Sequence, residues 1–132
     1  MKKLLLPALV AISIFSCKKD KDSGGAPETI DGYWIGTWKR GSSNNNNEMA
    51  VVLRNNGTAR ILYGYSGGDT ASAYYVTEDH FTYDAGHVKF ESRESDYIYI
   101  YEGDVSGDKM NGTWGTSPSF NDGGTWTMTK QK

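Results

Sequence analysis

The sequence predicts an all-β domain, an antiparallel up-and-down meander of about eight strands closed into a small barrel. Three observations carry that expectation. Short runs rich in Tyr, Trp, Thr, Val and Ile alternate along the chain with a period of two, the signature of strands with one buried face. Between them lie clusters of Gly, Asn, Asp and Ser, residues that tolerate the positive φ of tight hairpins. The tripeptide Gly-Thr-Trp recurs at 36–38, 112–114 and 124–126, near both ends of the domain. In a closed barrel the terminal strands pair, and a Gly two residues before each Trp lets an indole of a neighbouring strand lie across the bend. No segment sustains a helical period, so no parallel sheet is expected.

The elements follow in chain order. Residues 1–16 stand outside the fold. Lys2 and Lys3 precede an apolar run from Leu4 to Phe15 and the small residue Ser16, the layout of a secretory signal peptide. The run falls short of the roughly 20 residues a helix needs to cross a bilayer. Ile14-Phe15-Ser16-Cys17 then supplies an aliphatic, a variable residue, a small residue and a cysteine. This resembles the lipobox of bacterial lipoproteins. The resemblance implies cleavage before Cys17, diacylation of its sulfur, acylation of the new amino group and a place in the bacterial cell envelope, at the outer membrane on its periplasmic or surface side. It also accounts for the cysteine count: Cys17 is the one cysteine of the chain, so no internal disulfide is available.

Residues 17–29 read as the lipidated cysteine and a flexible, charged tether, with nothing larger than Ala26 to bury. Charged residues directly after a lipidated cysteine also serve as sorting signals in surface lipoproteins, a second reading of Lys18 to Asp22. Loss of residues 1–16 removes Lys2 and Lys3 and takes the basic residues from 14 to 12 against 16 acidic ones, so the net charge moves from −2 to −4. The remaining Lys and Arg are scattered, which excludes nucleic acid as a partner.

From Ile30 to Lys132 the chain is one domain by length. The first strand, Tyr33 to Arg40, places Trp34, Gly36 and Trp38 on one face. A Val-rich strand from Glu48 to Arg54 ends at Asn55-Asn56-Gly57. Ala59 to Tyr65 sets Ile61 and Tyr63 on one face. Two short strands, Ala73 to Val76 and His80 to Tyr83, lead to the Asp84-Ala85-Gly86 turn. In His87 to Glu91, Val88 and Phe90 oppose His87, Lys89 and Glu91. In Tyr97 to Val105, hydrophobicity points Ile98 and Ile100 inward, leaving Tyr97, Tyr99 and Tyr101 as an outer aromatic row suited to a partner or a glycan. After Ser106-Gly107-Asp108, the strand Lys109 to Thr116 carries Met110, Gly112 and Trp114 on one face. After Asn121-Asp122-Gly123-Gly124, Thr125 to Lys130 carries Trp126 and Met128.

Gly32-Tyr33-Trp34 at the start of the first strand, together with Ser95-Asp96-Tyr97 late in the domain, resembles the calycin superfamily of lipocalins and their relatives. The resemblance implies a lipocalin-like barrel over residues 30–132, with its mouth as a small-molecule site. The polar set with which the avidin branch holds biotin has no counterpart here.

Chemistry beyond binding finds little footing. His80 and His87, with Glu78, Asp79 and Asp84 nearby, lack a third residue at metal-ligand spacing. Asp104 to Asp108 lacks the twelve-residue frame of a calcium loop. Glu102 and Asp104 share a strand face without a cleft to make them a catalytic pair, and no nucleophile lies beside a base. The expectation is a non-enzyme with no catalytic residues, metal or cofactor. Two functions are compatible with it. In the first, a membrane-tethered lipocalin-like module binds a small apolar or aromatic ligand between Trp34, Trp38, Tyr63 and Trp114. In the second, an accessory envelope lipoprotein contacts a protein partner and its barrel is packed solid. A hollow or filled interior separates them.

Overall fold

In a computed structural model of the chain, residues 25–118 and 122–132 are described; the expected signal peptide, Cys17 and the expected tether as far as residue 24 lie outside them. Eight antiparallel strands form a closed barrel: β1 (Gly32–Arg40), β2 (Asn47–Leu53), β3 (Thr58–Tyr63), β4 (Tyr75–Asp84), β5 (His87–Glu94), β6 (Tyr97–Ser106), β7 (Lys109–Thr116) and β8 (Gly124–Lys130). Each strand pairs with the next, and β1 closes on β8 with Trp38 opposite Trp126. Among the described residues, closure leaves no unpaired sheet edge.

The Gly-Thr-Trp repeat works through register. On β7 and β8 the two copies run antiparallel, so Gly112 faces Trp126 and Trp114 faces Gly124. The atoms that exclude a side chain at Gly112 are backbone rather than indole: a β-carbon there would sit 1.8 Å from the Glu102 carbonyl oxygen. The strands approach so closely that only glycine fits.

Two readings of the sequence are corrected. The short strands expected at 73–76 and 80–83 are one strand, β4. The polar stretch between them stays extended because each member finds a partner: Thr77 bonds Ser92, Glu78 pairs with Arg54 and Arg60, and Asp79 pairs with Arg93. The face of β6 is also reversed. Register sets Tyr101 opposite the core residues Phe90 and Trp114, while Ile100 lies opposite Glu91 and Gly115. Tyr101 is 3 % exposed and stacks on Phe90 at 4.8 Å; Tyr97, on the same face but beyond the rim, is 59 % exposed. Register with Phe90 and Trp114, not side-chain hydrophobicity, sets which row fills the bore.

The bore divides into a packed lower half and an open upper half. Val51, Ile61, Val88, Phe90 and Met110, all in the buried core, lie below the aromatic wall. Segment 25–31 seals its floor. The Pro27 carbonyl accepts from the Tyr83 hydroxyl at 2.5 Å, the Gly25 carbonyl accepts from Gly107 N–H at 3.3 Å, and Ile30 is buried in the core. Residues 25–29, read as the end of a flexible tether, therefore lie against the barrel.

Candidate ligand-binding site at the barrel mouth

The upper half of the barrel is a cavity of about 480 Å3 that opens between the ends of β1, β3, β5 and β7 and the starts of β2, β4, β6 and β8. Its wall is aromatic. Trp38 from β1 meets Trp114 from β7 edge to face at 5.1 Å, and Tyr99 from β6 lies 6.1 Å from Trp114. Tyr63 from β3 and Tyr75 from β4 are 6.3 Å apart, and Tyr101 marks the boundary with the packed half. Alternation puts these side chains inside: each occupies the inward parity of its strand, on the last turns of the ladder before the rim.

Charge at the mouth is mixed. Arg40 lies 6.0 Å over the Trp114 ring, a cation–π contact at the rim. Glu48 uses both carboxylate oxygens to accept from Gly67 N–H and Gly68 N–H, each at 3.1 Å, and so holds the loop after β3. Glu94 lies among the tyrosines. Burial pushes the Tyr63 hydroxyl up to about 12, its bonds to Ser92 and Thr77 pulling the other way and Glu94 adding to the rise. Burial also raises Tyr101 well above its ordinary value, and raises Tyr99, with Glu94 contributing to both. Tyr65 is pushed up to about 12 by burial, then by Tyr33 and Glu48. All four remain neutral phenols at neutral pH.

Polar satisfaction is uneven. Tyr63 bonds the buried Ser92 hydroxyl, which bonds Thr77 at 3.0 Å. Trp114 donates to the Lys39 carbonyl at 3.0 Å and Trp126 to the Thr113 carbonyl at 2.8 Å. By contrast, Trp38 Nε1 and the Tyr65 hydroxyl are buried with no protein partner. Both residues line the cavity.

Of the four ligand-lining residues expected from the sequence, Trp38, Tyr63 and Trp114 are brought together here, and Trp34 is not. It lies at the floor, where its Nε1 donates to the Ile30 carbonyl at 2.9 Å and Lys130 Nζ stands 5.7 Å from its ring. Trp34 and Trp38 share a face but are four residues apart, roughly 13 Å along a strand, enough to place them at opposite ends of so short a barrel. Sequence reasoning missed Tyr65, Tyr75, Tyr99, Tyr101, Arg40 and Glu94. Tyr99 and Tyr101 share the inward parity that hydrophobicity had assigned to Ile98 and Ile100, and the rim residues carry no periodic signal.

The other candidate groups lie apart from the cavity. His80 is exposed beside Asp79, and His87 contacts Asp104 at 3.3 Å on the outer wall, next to the Lys89–Glu102 pair. Among the described residues no group of three or more His, Cys, Asp or Glu is assembled to hold a metal ion. Comparison with protein-family models, with curated proteins and with solved structures finds no match.

Proposed function

We propose that this chain is a lipid-anchored binding module of the bacterial envelope whose barrel mouth takes a small apolar or aromatic ligand. The aromatic cavity of about 480 Å3 carries the reading. Its size falls within the roughly 300–1,000 Å3 of small-molecule sites, and it combines apolar walls with a few convergent polar groups. The same bore is filled by side chains in its lower half, so the hollow is confined to the end that opens to solvent.

Anchorage at Cys17 fits this geometry. The N-terminal segment leaves the barrel at the sealed floor, where Gly25 meets Gly107. Residues 18–24 would then span at most about 25 Å between the lipid and the domain. The floor would face the bilayer and the mouth would face away from it, open to a diffusing ligand.

The experiment is a titration with N-phenyl-1-naphthylamine, an apolar dye that fluoresces in dry sites. Saturable binding with one site per chain is expected, weakened at least about tenfold by Trp38→Ala, which removes one wall. Absence of saturable binding, or binding indifferent to Trp38→Ala, counts against the reading and leaves the protein-partner alternative. Native mass spectrometry of the protein from its own host would give the mass of any retained ligand.

A further inference from the structure

The wall of the mouth cavity carries negative charge where it is sheltered and positive charge where it is wet. Three charged side chains line it: Glu94, Glu48 and Arg40. Glu94 occupies the inward parity of β5, following the buried Val88, Phe90 and Ser92, and is itself half-buried. Its charge is felt by the hydroxyls of Tyr63, Tyr99 and Tyr101. Among the described residues it forms no ion pair. Glu48 is half-buried too, but its oxygens are taken by the Gly67 and Gly68 amides. Arg40 is exposed at the rim, and its contact with Trp114, 6.0 Å to the ring centroid, already sets a cation against that ring. The other polar side chains of the lining, Asn46, Asn47 and Ser66, are exposed and uncharged.

The rest of the wall is aromatic, and its rings meet at angles of 84°, 53°, 46° and 26°, so they surround the hollow from several sides instead of forming one flat platform. The face of an aromatic ring is negative and attracts a cation within about 6 Å of its centroid, most strongly where water is excluded. We infer that the mouth cavity binds an organic cation, a quaternary ammonium head on an apolar or aromatic body, with the head among the rings and within the field of Glu94. The inference rests on the ligand-binding reading above and narrows it. A head with methyl groups in place of N–H protons spreads its charge and asks for no hydrogen-bond acceptor, which suits a wall of rings with one carboxylate outside any ion pair. An uncharged ligand would cover Glu94 without a counter-charge, and an anion would face it directly. Arg40 opposes a cation only from the rim, where solvent screens it.

Phenyltrimethylammonium and tert-butylbenzene test it, since they share one shape and differ by a positive nitrogen in place of a carbon. Their affinities are measured by displacement of N-phenyl-1-naphthylamine from the full chain in phosphatidylethanolamine nanodiscs, whose lipids lack quaternary ammonium groups, with empty nanodiscs as the partition reference. The cation should bind at least about threefold tighter than the hydrocarbon, although it is the better hydrated of the two. Glu94→Gln should narrow that ratio about threefold or more; both probes are measured on each chain, so general damage to the cavity cancels. Equal or weaker binding of the cation, or a preference untouched by Glu94→Gln, overturns this inference and leaves the apolar site standing. So does a bound dye that neither probe displaces. Failure of the dye and of both probes overturns both readings.

Discussion

Truncating Tyr101 to Ala tests the inward face of β6 and, with it, where the packed core ends. Its ring is 3 % exposed, stacks on Phe90 at 4.8 Å with 7° between planes, and lies 6.2 Å from Trp114 and 6.4 Å from Trp126. Removing a buried ring costs about 3–5 kcal/mol in lost transfer energy and residual cavity. A domain of this size holds roughly 5–15 kcal/mol in all. With a urea dependence of about 2 kcal/mol per molar, the midpoint should fall by roughly 2 M. The same substitution should weaken along the strand toward the mouth: about 1–2 kcal/mol at the half-buried Tyr99, and under about 0.5 kcal/mol at Tyr97, which is exposed beyond the rim. Urea denaturation of the three variants, followed by Trp fluorescence, gives the order. If Tyr97→Ala costs as much as Tyr101→Ala, the face assignment is wrong and the cavity boundary with it.

Four further outcomes are expected. The buried phenols of Tyr63 and Tyr65 have folded values raised from 10 to about 12, so their contribution to stability is complete below pH 10 and disappears as pH rises through about 12. Absorbance at 295 nm should show late-ionising tyrosines and a cooperative loss of native fluorescence in that window; all nine tyrosines ionising together near pH 10 with the fold intact would refute it. Gly112→Val forces a β-carbon to 1.8 Å from the Glu102 carbonyl oxygen and should cost about 3 kcal/mol or more, whereas Gly107→Ala meets no atom within 4 Å and should cost about 1 kcal/mol for its positive φ alone, a contrast that chemical denaturation measures. Deleting residues 25–31 removes the Ile30 plug and the acceptor of Trp34 Nε1, and should lower the melting temperature by at least about 10 °C relative to a chain starting at Gly25. Cys17→Ala should abolish acyl labelling and membrane association, and normal labelling of that variant would refute lipid attachment at this residue.

The strand meander was legible because turn chemistry and alternation agree at most junctions. Asn56-Gly57, Ala85-Gly86 and Gly107 all mark hairpins, with φ of 80° at Gly57 and 90° at Gly86. Closure was expected from the Gly-Thr-Trp repeat near both ends of the domain; at the seam Trp38 meets Trp126, and glycine pairs with tryptophan only between β7 and β8. What escaped detection was set by contacts distant in sequence. Glu78 and Asp79 look like strand breakers until Arg54 and Arg93 are placed beside them. Segment 25–29 looks like spacer because its contacts are made by backbone carbonyls to Tyr83 and Gly107, which leave no side-chain pattern. On β6 both parities offered apolar residues, so periodicity fixed the period and left the phase open; only the rings opposite Tyr101 fix the phase.

That phase determines the chemistry of the mouth. Had Ile98 and Ile100 pointed inward, the upper bore would be a greasy tube with little to distinguish one apolar ligand from another. Tyrosine instead supplies ring and hydroxyl at once, and the site uses several. Burial lifts the hydroxyl pKa of Tyr63, Tyr65, Tyr99 and Tyr101 further above neutral pH, so each ring carries a neutral hydroxyl. Those whose hydroxyls are already committed, such as Tyr63 to Ser92, stiffen the wall. Tyr65 Oη and Trp38 Nε1, by contrast, have no protein partner. The face of β6 therefore decides whether the mouth is lined by aliphatic or by aromatic side chains.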